Sequence, residues 1–247
     1  MLTLVTGATG LVGNNVVRQL LAAGQPVRVL RRATSDQRPL AGLDIEILTG
    51  DVGDVMAVER AVQGADRVIH AAAEVRIGWQ GLESARAINV AGTRNVAIAA
   101  LRAGARLVHV SSVDALGLRR GAEADEDTAP SGGVLCPYVI TKREAEQAIL
   151  DSVQMGLEAV IVNPAFMLGP WAHCISACTA ANAKCAESVK SACEGGWARL
   201  AGYSEQRTNC VALKIAHCAA HVARCAQDLY HRRVGFAKSS CMAAVSC

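Results

Sequence analysis

Three residues of this chain could do chemistry together, because one carries a hydroxyl, one a phenol and one an ammonium group. Ser112 ends the apolar run in "LVHVSSVDALG", and 26 residues later "PYVITKREAE" places Tyr138 and Lys142 four positions apart. Residues at i and i+4 share one helix face, so the ammonium is expected near the phenol. A nearby cation favours phenolate, which lets a tyrosine exchange a proton with an alcohol or ketone while a serine hydroxyl holds the substrate oxygen. The spacing alone is very common and usually indicates only a surface pair.

A glycine-rich turn gives this cluster its context. In "MLTLVTGATGLVGNNVV", Gly7, Gly10 and Gly13 recur every third residue between a predicted strand at residues 2–5 and a predicted helix at residues 11–21. The first glycine permits a tight bend, the second lets backbone approach a pyrophosphate, and the third lets the helix pack on the strand. The helix N-terminus adds free N–H groups and a partial positive charge. We therefore predict a dinucleotide site.

The first 172 residues alternate between strand-like and helical stretches. Further strands are predicted at residues 26–30, 45–48, 67–71, 106–110 and 157–162. Further helices are predicted at residues 57–62, 83–103 and 138–155, with Gly24, Gly64, Gly104 and Gly156 where helices end. This alternation predicts an α/β fold, a doubly wound parallel sheet of the Rossmann type whose ligands bind at the carboxyl ends of the strands.

Polar and small residues follow these predicted strands. Arg31 and Arg32 follow the second strand, where arginine suits the 2′-phosphate of NADP and a surface pair is the alternative. Asp51 follows the third strand and could accept a bond from an adenine amino group. The small residues 71–73, Ala71, Ala72 and Ala73, leave room for a flat ligand, although core packing explains them equally well.

The bulk composition excludes some classes of protein. The formal net charge of +3 gives no strong indication of a nucleic-acid partner, and no apolar run reaches the roughly 18 residues of a membrane span. Because the first strand is predicted to begin at Leu2, we expect no leader segment and a cytoplasmic location.

Seven stretches occur in the order typical of one family: "TGATGLVG", "GDVGD", "HAAA", "INVAGTRNV", "HVSSV", "YVITK" and "VIVNPAFMLGP". Over residues 1–171 the chain resembles the extended short-chain dehydrogenase/reductase family, the NAD(P)-dependent epimerase/dehydratase group. Within it, the chain is most similar to dihydroflavonol-reductase-like proteins and hopanoid-associated sugar epimerases. The resemblance implies hydride transfer between a nicotinamide and a carbinol or ketone carbon, either as net reduction or within an epimerisation.

The resemblance also assigns roles to residues. Ser112 would position the substrate oxygen, Tyr138 would be the acid/base, Lys142 would bind the nicotinamide ribose, and Asn89 would lie near the proton-relay end of the site. Arg32 matches the basic position of the family better than Arg31. The residues expected to bind the cofactor are Gly7, Thr9, Gly10, Leu11, Val12, Gly13, Arg31, Arg32, Asp51, Val52, Ala71, Ala72, Ala73, Asn163 and Pro164. Asn163 and Pro164 would begin the loop over the nicotinamide.

The expected cofactor is NADP, with NAD as the alternative. The expected partner is a small-molecule substrate, namely a sugar nucleotide or a flavonoid-like or sterol-like alcohol or ketone. A homodimer through the helix of Tyr138 occurs in many family members. The apolar face of residues 83–103 is compatible with such an interface and with core packing alike.

The composition changes near Trp171. Residues 1–172 carry 16 Lys and Arg, 18 Asp and Glu and one cysteine, whereas residues 173–247 carry nine, four and nine. We find no counterpart of the family's substrate domain after residue 171 and expect a Cys-rich helical tail over residues 172–247, of uncertain origin. A shifted reading frame or a fusion explains this change best, and disulfides are the least probable in a cytoplasmic protein.

A metal site in this tail is a further alternative. Cys174, Cys178 and Cys185 share one helix face, as do Cys218, His221 and Cys225, and such ligands suit Cu(I) or Zn²⁺. The paired C-x-x-C knuckles of common zinc modules are missing, so no metal ligand is assigned. For the whole chain, the alternatives to an enzyme are an NADP-binding protein with little turnover and a metal-handling protein.

Overall fold

The computed structural model describes residues 1–75, 78–117, 128, 135–164 and 167, together with the backbone of residues 237–239. These residues form a parallel sheet whose strands are β1 (Thr3–Thr6), β2 (Val27–Arg31), β3 (Glu46–Thr49), β4 (Arg67–His70), β5 (Arg106–Val110), β6 (Ala159–Val162) and β7 (Ala237–Ser239). Their order in the sheet is β3-β2-β1-β4-β5-β6-β7. The order reverses between β1 and β4, as the predicted doubly wound Rossmann topology requires.

Helices cover both faces of this sheet, because the apolar side chains of its strands alternate between the two faces. The helices are α1 (Leu11–Ala22), α2 (Val55–Val62), α3 (Leu82–Arg86), α4 (Gly92–Ala103) and α5 (Pro137–Gln154). One core lies under α2, α4 and α5 and contains Leu4, Val68 and Leu107. The other lies under α1 and contains Val5 and Ile69. All six predicted strands are present as β1 to β6, and their observed ends differ from the predicted ends by at most two residues.

The predicted helix at residues 83–103 has an irregular centre. A π-helical turn, Ala87–Ala91, joins α3 to α4 without a break in the backbone path. Asn89 lies in this turn and is buried. Single π-turns inside helices are frequent at functional sites because they re-aim one side chain.

The described part of the tail is a short strand. Strand β7 lies parallel to β6 and belongs to the tail that was predicted to be helical, and the rest of residues 172–247 lies outside the described residues. Among the residues that the structure describes, no helix is both long and apolar enough to cross a membrane.

Candidate active site

The glycine-rich turn meets the end of β4 at the point where the strand order reverses. Gly7 has φ of +71°, and a Cβ on it would lie 2.5 Å from the backbone of Ala71 and Ala72. A Cβ on Gly13 would lie 2.3 Å from the Gly7 carbonyl oxygen, so α1 packs directly on the turn. The positive φ of Gly7 is consistent with the tight bend expected at the first glycine, and the close approach at Gly13 is consistent with the packing expected at the third.

The start of α1 leaves space and backbone donors in front of it. A Cβ on Gly10 would meet only the Gly7 oxygen, at 3.4 Å. Gly10 caps α1 without a side-chain hydrogen bond, and the first turn holds no acidic residue. Thr9, Leu11 and Val12 flank this position and are half-buried. The first turn of α1 therefore has backbone N–H groups without a side-chain cap and contributes no carboxylate that would repel an anion.

The two arginines after β2 differ in their surroundings. The guanidinium of Arg31 donates to the Arg32 carbonyl at 3.2 Å, and its buried Nε has no partner among the described residues. Arg32 itself is exposed. Arg32 therefore carries a positive charge at the carboxyl edge of the sheet, where the second ribose of a dinucleotide is expected.

The predicted adenine side of the site follows β3. Asp51 is half-buried, and its Oδ1 accepts the Gly53 N–H at 2.8 Å. Val52 is buried against α4, where a Cβ on Gly92 would lie 2.7 Å from its Cγ2. The half-buried residues Ala71, Ala72 and Ala73 continue this edge after β4.

Ser112, Tyr138 and Lys142 come together beyond the end of β5. Ser112 is buried, and its hydroxyl donates to the exposed Asp114 carboxylate at 3.3 Å and accepts the Asp114 N–H at 3.2 Å. Tyr138, in the first turn of α5, is half-buried, and its phenol lies close enough to Ser112 for the two side chains to interact. Lys142 is buried, with Nζ 6.0 Å from the centroid of the Tyr138 ring.

The electrostatics of the tyrosine differ from the sequence prediction. Burial raises the pKa of Tyr138, the Ser112 hydrogen bond opposes this rise, and the charges of Asp114 and Cys136 add to it. Lys142 does not favour phenolate here, because its ammonium is turned to the Val110 carbonyl, to which it donates at 2.9 Å. Burial lowers the pKa of Lys142 to about 8, against the opposing charge of Glu146. The tyrosine therefore starts as a phenol near neutral pH.

Asn89 uses its side chain to join two elements. Its Oδ1 accepts the Glu74 N–H at 2.7 Å, and its Nδ2 donates to the Glu74 carbonyl at 3.0 Å and to Thr141 Oγ1 at 2.9 Å. Thr141 in turn donates to the carbonyls of Pro137 and Tyr138. Asn89 therefore ties the chain after β4 to the first turn of α5, and its amide is fully engaged in these contacts.

Asn163 and Pro164 connect the ends of β5 and β6. Asn163 is buried, and its Nδ2 donates to the Ser112 carbonyl at 2.9 Å and to Glu146 Oε1 at 2.6 Å. The Pro164 carbonyl accepts the Val113 N–H at 3.0 Å. The side chain of Asn163 is thus engaged with the strand ends and α5, and the sequence analysis missed its partner Glu146. The helical i, i+4 spacing from Lys142 was the available signal.

A buried polar row was also missed. Thr6, His70 and His109 are register partners on β1, β4 and β5. The Thr6 hydroxyl lies 2.7 Å from His70 Nδ1, and His70 Nε2 lies 3.0 Å from the Thr93 hydroxyl. The ring centroids of His70 and His109 are 5.4 Å apart. The row runs from the strand that leads into the glycine turn to the strand that leads to Ser112.

The metal hypothesis concerns residues beyond this site. In the part of the chain that the structure describes, no group of three or more His, Cys, Asp or Glu residues could hold a metal ion. Cys174, Cys178, Cys185, Cys218, His221 and Cys225 lie outside the described residues.

Comparison with known proteins decides the family. The model of the NAD dependent epimerase/dehydratase family matches residues 3–196 of this chain. The chain belongs to this family. The match runs beyond residue 171, where the quoted motifs of the family end.

Two curated relatives support the membership. Sterol demethylase protein B of Methylococcus capsulatus is 40% identical over 173 residues, which are 69% of this chain and 53% of the relative. The putative dihydroflavonol 4-reductase of Synechocystis is 40% identical over 170 residues, which are 68% of this chain and 49% of the relative. The chain thus spans about half the length of these family members.

A solved structure shares the fold of the family. The dTDP-glucose 4,6-dehydratase DesIV of Streptomyces venezuelae, determined with NAD and TYD bound, aligns with a TM-score of 0.68 and 26% identity. The alignment covers 79% of this chain and 63% of that one. Members of the family are oxidoreductases, epimerases and dehydratases, and this structural neighbour binds NAD.

Proposed function

We propose that this chain binds NADP and reduces a ketone to a carbinol, with Tyr138 as the proton donor. The observation that carries the proposal is the Ser112–Tyr138–Lys142 cluster at the same sheet edge as the glycine-rich turn. A hydroxyl and a phenol whose side chains lie close enough to interact can bind one carbonyl oxygen from two sides. Such an arrangement suits proton transfer to an alkoxide.

The residues at the switch point fit a dinucleotide. The spaces at Gly7 and Gly13 are already filled by backbone, whereas Gly10 faces open space before the uncapped start of α1. These N–H groups would hold the pyrophosphate, and exposed Arg32 would pair with a 2′-phosphate. Asp51 would hold the adenine and Lys142 the nicotinamide ribose. When bound, the nicotinamide supplies the hydride.

The protonation of Tyr138 favours the reductive direction. Because burial raises the pKa of Tyr138, the residue starts as a phenol and can give its proton to the substrate oxygen. Ser112 would orient that oxygen. The Asn89 amide donates to the Thr141 hydroxyl, which in turn donates to the Tyr138 carbonyl, and these contacts position the backbone of Tyr138. Net reduction thus needs no prior deprotonation of the tyrosine, unlike the oxidative half of an epimerisation.

The substrate we propose is an apolar ketone of the sterol or dihydroflavonol kind. Two exposed apolar side chains lie next in sequence to parts of this site: Val75 follows Glu74, which is hydrogen-bonded to Asn89, and Leu135 lies two residues before α5. Val75 is 67% exposed and Leu135 is 56% exposed. The two relatives at 40% identity are named for a sterol and a dihydroflavonol, whereas the nucleotide-sugar enzyme is 26% identical. An apolar skeleton would bury these side chains.

NADP binding with little turnover is a second candidate, and the composition of residues 173–247 favours it. Residues 197–247 lie beyond the family match, and we find in their sequence no counterpart of a substrate domain, which in this family excludes water from the reacting carbon. Sequencing the coding DNA across residues 169–173 distinguishes a frame change from a natural segment. A one-base correction that restores a family-like loop would establish the frame change.

The experiment that tests the proposal is NADPH oxidation with a panel of a steroid ketone, a dihydroflavonol and a UDP-sugar. We expect turnover with the apolar ketones and a loss of about 100-fold or more in Y138F, as for removal of a general acid. Ser152→Ala is a matched control for Ser112→Ala, because Ser152 is a buried serine on α5 whose hydroxyl donates to the Ala148 carbonyl one helical turn away. Turnover that survives in Y138F would contradict the assigned proton donor.

A further inference from the structure

Lys142 is the single lysine among residues 1–172, where the other 15 basic residues are arginines. It is buried, with 4% of its surface exposed, and its Nζ donates to the Val110 carbonyl at the end of β5. A buried ammonium needs hydrogen bonds and a counter-charge. The ammonium therefore depends on the groups that surround it.

Glu146 lies one helical turn beyond Lys142 and is also buried, with 7% of its surface exposed. Its Oε1 accepts the Asn163 Nδ2 at 2.6 Å, and the same Nδ2 donates to the Ser112 carbonyl at 2.9 Å. One carboxylate thus connects α5 to the ends of both β5 and β6. The short donor–acceptor distance is typical of a hydrogen bond to an ionised group.

The other titratable groups around Lys142 do not supply a negative charge. Tyr138 lies on the same helix, and the neutral imidazoles of His70 and His109 lie on β4 and β5. Asp114 acts on Tyr138 and is exposed. Among the described residues, Glu146 is the group whose charge opposes the loss of the Lys142 proton.

We propose that Glu146 is a positioning residue: its carboxylate holds Asn163 against the Ser112 carbonyl and supplies the counter-charge that keeps Lys142 an ammonium ion. The first role fixes the backbone that carries the Ser112 hydroxyl. The second role sets the charge that would face the ribose and the phenol. The importance of both roles for catalysis rests on the proposed function, but the charge and the contact exist without it.

The test separates the two roles of Glu146 by two substitutions. Glu146→Gln keeps an oxygen for Asn163 and removes the charge, whereas Glu146→Ala removes both. Glu144→Gln is the control, because Glu144 lies on the same helix and pairs with Arg86. The ¹³Cε signals of labelled lysine report the titration of Lys142, and only five lysines occur in the chain. The K142R variant assigns its signal.

We expect the Lys142 midpoint near pH 8 in the wild type and in E144Q, and about one pH unit lower in E146Q. E146A is expected to lower Tm further than E146Q, because it also removes the Glu146 acceptor and leaves the Asn163 amide with only the Ser112 carbonyl among its described acceptors. An unchanged midpoint in E146Q would overturn the proposal. The readout needs no turnover, so a chain that shows this shift but binds no NADPH supports Glu146 and contradicts the proposed function.

Discussion

The hydroxyl of Thr6 lies 2.7 Å from Nδ1 of His70, and the direction of this hydrogen bond follows from the contact on the other side of the buried imidazole. On the other side of the ring, the Thr93 hydroxyl donates to the Asn89 carbonyl at 2.6 Å, so it can only accept from His70 Nε2. Nδ1 must then accept the Thr6 proton, while Thr6 Oγ1 accepts the Ala72 N–H at 3.3 Å. One neutral tautomer satisfies every donor in this chain of contacts.

Replacement of the two buried histidines by leucine is expected to change the free energy of unfolding by different amounts. His70→Leu leaves the buried Thr6 hydroxyl without its acceptor and should cost about 1–3 kcal/mol of unfolding free energy. His109→Leu should change it by less than about 1 kcal/mol, because neither ring nitrogen of His109 has a partner among the described residues. Urea unfolding at pH 7 measures both. Equal losses in the two variants would contradict the assigned network.

The same histidines make the fold sensitive to acid. Burial, and next the charge of Lys142, lower the pKa of His70 to about 3 from 6.5. Between these values the unfolded chain binds a proton that the folded chain does not, so stability falls as the pH falls below 6.5. His70 alone should cost about 2 kcal/mol by pH 5. His109 acts in the same direction, since burial, Lys142 and His70 lower its pKa.

Urea unfolding at pH 7, 6 and 5 tests this dependence. We expect H70L to lose less stability over this range than the wild type. An identical slope in H70L would contradict a neutral His70 in the folded chain.

The glycine turn provides a graded series of alanine substitutions. Gly7→Ala should prevent normal folding of the turn, because φ is +71° and the new Cβ would lie 2.5 Å from backbone. Gly24→Ala is the control, with φ of +69° and no atom within 4 Å, and should cost only about 1 kcal/mol. Gly10→Ala should leave Tm near the wild-type value and weaken NADPH binding at least about tenfold, since its Cβ points at the proposed pyrophosphate site. Normal NADPH binding by G10A would contradict a pyrophosphate site at Gly10.

Arg32 is expected to determine the preference between the two nicotinamide cofactors. Arg32→Ala should weaken NADPH binding by about tenfold, or about 1.4 kcal/mol, and leave NADH binding unchanged. Arg60→Ala serves as a control, because Arg60 is also an exposed arginine but lies on α2. Fluorescence titration of the three proteins gives both affinities. A parallel loss for NADPH and NADH in R32A would assign the side chain to a shared part of the cofactor.

The elements of the sheet were predictable because their signals are local. The strand at residues 106–110 is a buried apolar run and was predicted with its observed ends. Gly104 ends α4 with φ of 66°, as its position predicted. Residues 7–13, which form the glycine-rich turn, are neighbours in sequence, so their contacts in the structure are local. Local spacing therefore sufficed for the fold and for the turn.

The contacts inside the site are long-range, and local spacing does not report them. Thr6 and His70 are 64 residues apart, and Glu146 and Asn163 are 17 apart. The spacing of Tyr138 and Lys142 correctly placed them on one helix, but it did not show that the ammonium turns to the Val110 carbonyl. Whether a cation lowers the pKa of its neighbour depends on that orientation and on burial. The π-turn at Asn89 also follows no sequence signal that we recognised.

The most direct test of the proposed function is titration of the purified, reduced protein with NADPH and then NADH, followed by calorimetry or nicotinamide fluorescence. We predict saturable binding of both cofactors, with NADPH favoured at least about tenfold, which corresponds to about 1.4 kcal/mol. This result would show that the glycine turn and Arg32 form a working cofactor site in this chain. Failure to bind either cofactor would contradict the proposed function.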